Sequence, residues 1–213
     1  AIMEHSELGS GYHLALKDLD IRGAGNLLGA DQSGFVEEIG LDLYTKMLAE
    51  AVSELKGHPP PYFEPIPFSL DFDAYIPADY IPEPEDRIGV YQRLFTADKG
   101  DKVKKLHDEI ADRFGRLPDE ASRLFDFIRV RIEATHRGFT AIAFARRFCT
   151  LNFDIAKIPL ATLDAALKKF EPPLDFAIGE SAAIRVPRTI SPESDLSILL
   201  RLLDKVPLPI RTP

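Results

Sequence analysis

A single cysteine, Cys149, cannot close a disulfide within the chain, which fits a reducing compartment. No apolar run approaches the roughly 20 residues needed to cross a bilayer, and the amino terminus lacks a basic-then-apolar signal pattern. These absences predict a cytoplasmic protein with no membrane partner. Basic residues are not in excess either: Lys and Arg total 26 against 34 Asp and Glu, a formal net charge of -8. The average surface therefore repels polyphosphate, and any nucleic-acid contact must be local or supplied by a neighbouring domain. No Gly-x-x-x-x-Gly-Lys-Ser/Thr phosphate loop occurs, and no acidic magnesium-binding box follows a strand. This chain is thus expected to bind no ATP or Mg, to need no cofactor and to catalyse no hydrolysis alone. The histidines at 5, 13, 58, 107 and 136 lack ligand spacing, so no structural metal is expected.

What is present is an ordinary globular composition, 45% hydrophobic and 28% charged over 213 residues. That length houses one medium domain with an appended segment, or two small domains. Leu8, Tyr12, Ala15 and Leu19 recur at helical spacing, as do Tyr44, Leu48, Ala51 and Leu55, with Gly57 placed to end the second helix. Residues 1–57 therefore read as a helical hairpin closed by a glycine-rich loop. Pro59, Pro60, Pro61, Pro65 and Pro67 then favour extended chain. Phe68, Leu70, Phe72 and Ala74 alternate with Ser69, Asp71 and Asp73 as a half-buried strand does, so residues 58–82 read as a proline-rich linker and first strand.

Residues 83–213 read as the main domain. Three helices carry Ile88, Tyr91, Leu94 and Phe95, then Val103, Leu106, Ile110 and Phe114, then Ala121, Leu124, Phe125, Ile128 and Ile132 from a start near Pro118. Their short connections favour antiparallel neighbours. Strands are predicted over 139–145, 148–153 and 183–186, and helices around Leu160 to Phe170 and after Pro192. The fold class that results is α+β: a helical hairpin, then a helix-rich domain with a small, mostly antiparallel sheet.

In the glycine-rich loop, Arg22 is a permanently charged fork donor, Gln32 offers both donor and acceptor, and Gly23, Gly25 and Gly29 let backbone approach closely. Taken as chemistry, the pair either holds the loop against another domain or merely braces it. The glycine spacing misses the dinucleotide-binding pattern and follows a predicted helix, not a strand. Glu109 and Asp112, three apart, share the polar side of the second helix of the main domain. They can meet one partner together, or form an ordinary solvated face with Glu109 paired locally to Lys105 or Arg113. Arg146, Arg147, Arg185 and Arg188 form a basic patch if the strands pair, and are otherwise solvated charges. Asp71 and Asp73 share a polar strand face that solvent suffices to explain.

The stretch from Asp18 to Gly34 resembles the translocation motif of RecG-type helicases, and Phe35 to Tyr44 resembles transcription-repair coupling factors more closely. That resemblance continues through Tyr75-Ile76-Pro77-Ala78-Asp79-Tyr80-Ile81-Pro82, Tyr91-Gln92-Arg93-Leu94 and Asp112-Arg113-Phe114-Gly115-Arg116-Leu117-Pro118, and ends near Gly138. It implies the carboxy-terminal part of an ATP-dependent DNA translocase that displaces stalled RNA polymerase and recruits excision-repair proteins. ATP and Mg are then expected in the full-length motor. Arg22 and Gln32 match motif residues that pass motor movement to duplex DNA. Glu109 and Asp112 match acidic residues that contact, and so mask, the amino-terminal UvrA-binding domain of the same polypeptide. The implied partners are the upstream motor lobes and that domain, with duplex DNA, RNA polymerase and UvrA reached through the full-length protein. A RecG-like branched-DNA helicase fragment and a stand-alone interaction module are the alternatives.

Overall fold

The computed structural model describes residues 66–178, 182–189 and 191–208. The helical hairpin expected over 1–57 lies outside the described residues. Among those described, the order is β1 (Phe68–Ser69), α1 (Pro84–Phe95), α2 (Gly100–Phe114), α3 (Asp119–His136), β2 (Phe139–Phe144), β3 (Phe148–Phe153), α4 (Leu160–Leu167), β4 (Asp175–Ile178), β5 (Ala182–Pro187) and α5 (Pro192–Lys205). The fold is α+β, as expected. One sheet of order β1-β2-β3-β5-β4 is antiparallel throughout, except that β1 runs parallel to β2.

Local chemistry sets the helix ends. Pro84 opens α1 with Glu85 and Asp86 in its first turn, where a missing N–H costs nothing and negative charge meets the positive end of the helix. At the end of α2, Gly115 takes φ 89, a conformation that a Cβ disfavours. The third helix begins one residue past its expected start: Pro118 is its extended N-cap, not its first turn. Ser191 caps α5 by accepting the Ser194 N–H.

The apolar stripes meet over one face of the sheet. Ile142, Phe144, Cys149, Leu151, Phe153, Ile184 and Val186 are buried there, while Thr150 and Asn152 alternate with them and stay partly exposed. Helix α3 spans this core. Its Phe127 ring lies 4.7 Å from Phe68 and 6.2 Å from Phe144. At its carboxy-terminal end, Arg137 binds Glu133 and reaches the Val206 carbonyl at 3.1 Å, which fastens α3 to the end of α5.

The first strand is shorter than expected. Only Phe68 and Ser69 pair, with Ile142 and Ala143, although burial continues to alternate: Phe72, Ala74 and Ile76 are buried while Asp71 and Asp73 are exposed. Beyond Ser69 no strand lies alongside, and side chains take over the buried backbone groups. The Ile76 N–H donates to Tyr91 Oη at 2.8 Å. Arg87, itself buried, donates to the carbonyls of Ile81 (2.6 Å) and Pro82 (2.8 Å). Upstream, Arg131 donates to Ile66 O at 2.8 Å, and Thr135 Oγ1 accepts the Ile66 N–H at 3.3 Å. Strand β4 was not foreseen: as a half-exposed edge of four residues it carries no apolar alternation.

Phe127→Ala removes a fully buried ring that joins the helical layer to the sheet. A loss of ~3–5 kcal/mol is expected, seen as a lower urea midpoint with an unchanged slope.

Candidate functional site

Helices α1 and α2 lie side by side and antiparallel, since Asp86 meets Arg113 and, one to two turns along, Arg93 meets Glu109. Their inner faces bury Val90, Tyr91, Leu94 and Phe95 on α1, and Val103, Leu106 and Ile110 on α2. Helical periodicity therefore turns Arg93, Glu109 and Asp112 outward.

Both terminal nitrogens of Arg93 donate to the two carboxylate oxygens of Glu109, each at 2.6 Å. This is the bidentate fork that suits guanidinium to carboxylate. The local alternative for Glu109 does not form: Lys105 stays exposed, and Arg113 reaches across to Asp86 at 2.8 Å. The interhelical partners win because antiparallel packing brings Arg93 and Asp86 opposite α2, a proximity that spacing within one helix cannot reveal. The Arg93 hydrogen bond holds the Glu109 carboxyl below its usual range; desolvation opposes it, and the charges of Arg93 and Arg113 add to the lowering. Asp112, one turn on, is exposed and makes no hydrogen bond or ion pair with a described residue. Arg22, Gln32, Gly23, Gly25 and Gly29 lie outside the described residues.

The four-arginine patch does not assemble. Strands β3 and β5 do pair, but Arg188 turns inward, where it binds Asp195, Asp71 at 2.7 Å and the Ala145 carbonyl at 3.2 Å. Arg185 leans toward Asp175 across the β4–β5 pair. Arg185 stays exposed there, and Arg146 and Arg147 are exposed at the β2–β3 turn. Asp195 is 2% exposed and also accepts from the Thr189 N–H (2.7 Å) and hydroxyl (2.8 Å). Burial works against the Arg188 charge, yet the bonds to Asp71 and Asp195 outweigh it and raise its pKa. The cluster is internally satisfied and acts as a structural tie. Beside it, burial first and the Asp195 charge second push the Cys149 thiol up to about 12, which leaves it no nucleophile. Among the described residues no group of three or more His, Cys, Asp or Glu could hold a metal ion, and no helix is long and apolar enough to cross a membrane.

The sequence reading missed Arg93, although the outward position of this Arg among Val90, Tyr91 and Leu94 was a usable signal. It also missed the role of Asp71 and Arg188, for which a sequence separation of 117 leaves no local sign.

The family model of the TRCF domain matches residues 70–160, a stretch that includes α1, α2 and α3. The transcription-repair-coupling factor of Staphylococcus aureus (strain USA300) is 43% identical over 144 residues, 67% of this chain and 12% of that protein. That of Staphylococcus haemolyticus (strain JCSC1435) is 42% identical over 144 residues, with the same coverage. The chain thus spans about an eighth of the length of these relatives. The crystal structure of the C-terminal domain of transcription-repair coupling factor superposes with a TM-score of 0.61 at 19% identity, over 67% of this chain and 91% of that one. This likeness establishes the shared fold.

Arg93→Gln should return the Glu109 carboxyl toward its ordinary range, read by carboxyl carbon NMR titration. Because the pair depresses the folded-state pKa, its contribution to stability is present above the unfolded pKa and fades as pH falls through the folded one. An unmoved Glu109 titration would contradict the fork.

Proposed function

Because the chain belongs, through its TRCF domain, to the transcription-repair coupling factor family, we propose that it is the carboxy-terminal part of an ATP-dependent DNA translocase that couples transcription to nucleotide-excision repair. The whole protein displaces stalled RNA polymerase and recruits repair proteins through UvrA. The observation that carries this reading is the 43% identity over 144 residues, which supports a coupling factor over a RecG-like branched-DNA helicase. The order of the glycine-rich loop before the TRCF domain supports it too.

Two roles fall to this part. In the first, the hairpin of residues 1–57 passes motor movement to duplex DNA, with Arg22 and Gln32 fixing the loop that Gly23, Gly25 and Gly29 shape. A stiff lever of this kind converts a small interdomain rotation into displacement. ATP and Mg belong to the upstream motor lobes, since the sequence here has no phosphate loop. In the second role, the outward face of α2 docks on the amino-terminal UvrA-binding domain and masks it. Asp112 offers an unengaged carboxylate and Glu109 an exposed one, both suited to basic side chains. Exposed ion pairs are individually weak, so a motor conformation that favours the open state can displace the contact.

In the full-length motor, Arg22→Ala with Gln32→Ala should slow travel along duplex, measured by triplex displacement, by about tenfold or more, ~1.4 kcal/mol of barrier. Undiminished travel would sink the first role. Glu109→Arg with Asp112→Arg should leave the circular dichroism spectrum unchanged while raising UvrA affinity of the intact polypeptide about tenfold. Equal affinity in both proteins would remove the masking role.

A further inference from the structure

We infer that Arg93 regulates the masking face by competing with the docked partner for Glu109. Asp112 makes the first contact, and Glu109 joins only when its bond to Arg93 is given up. This rests on the reading of Glu109 and Asp112 as masking residues.

The two carboxylates are three residues apart on one helix but are not equivalent. Asp112 has no described partner, whereas both oxygens of Glu109 already accept from Arg93 at 2.6 Å. A fork-to-fork pair occupies the inner lone pairs of both oxygens and leaves an incoming cation only the outer directions. It also cancels the negative charge that would attract that cation. Arg93 cannot be titrated away, since guanidinium keeps its proton at any physiological pH. At physiological pH, where the Glu109 carboxyl is also charged, Glu109 is therefore released by a competing cation or by salt. The pair is about half exposed on both sides, so it is weak enough for a well-placed arginine to win. The result is a graded contact in which an internal arginine holds masking below its attainable strength.

Arg93 is not needed to hold the two helices together. The Asp86–Arg113 pair makes a second link between them, and α1 is anchored by the buried Val90, Tyr91, Leu94 and Phe95. Removing the Arg93 fork therefore frees Glu109 without unseating α1.

The test uses the intact polypeptide and purified UvrA, with apparent affinity reporting how strongly the binding domain is masked. Arg93→Gln should tighten masking and so lower UvrA affinity about threefold. Arg93→Lys keeps the charge but not the fork and should fall between wild type and Arg93→Gln. Adding Glu109→Gln to Arg93→Gln should abolish the gain. If Arg93→Gln and Arg93→Lys, both with native circular dichroism, leave UvrA affinity unchanged or raised while Asp112→Arg raises it, competition is wrong and masking stands. If Asp112→Arg and Glu109→Arg also leave affinity unchanged, the masking reading falls and takes this inference with it.

Discussion

The domain depends on satisfying the backbone of a buried segment that has almost no strand beside it. From Ile66 to Pro82 the chain crosses the helical layer and the sheet, pairing in a ladder at only two residues. Ile66, Phe68, Phe72, Ala74, Ile76 and Ile81 are buried along it. Each buried N–H or C=O left without a partner would cost about 1–3 kcal/mol. Side chains from α1 and α3 supply what a neighbouring strand would: Tyr91 and Arg87 from one, Arg131 and Thr135 from the other. Those residues explain why two arginines sit in the core of a small domain.

Arginine serves two opposite purposes in this molecule, and exposure decides which. Arg188 is enclosed by Asp195, Asp71 and the Ala145 carbonyl. Losing one partner there would strand a charge away from water, so the arrangement is fixed. Arg93 grips Glu109 with both terminal nitrogens in the open, where water and salt stand ready to replace either partner. The same chemistry is a tie inside and an exchangeable contact outside.

Much of the fold was legible because helical burial has a period that sequence records directly. Ile88, Tyr91, Leu94 and Phe95, and likewise Val103, Leu106 and Ile110, are buried where the spacing placed them. Period-two alternation was read correctly as burial and wrongly as pairing: residues after Ser69 alternate without a ladder, since alternation reports which side faces the core and not what lies alongside. Strand β4 escaped because an edge strand buries neither face fully. The site was legible only through resemblance. Composition says nothing of Glu109 beyond its polarity, and its true partner became visible only once α1 and α2 were packed.

The amino-terminal end of the extended segment has a mechanical meaning. Ile66 is gripped on both sides of its peptide by α3, and the next carbonyl, Pro67, accepts from Ile142 in β2. A pull along the preceding chain is therefore shared at once between a long helix and the sheet, in place of peeling one strand free. Because α2 packs on α3, the acidic surface rests on the same helix that takes up that tug.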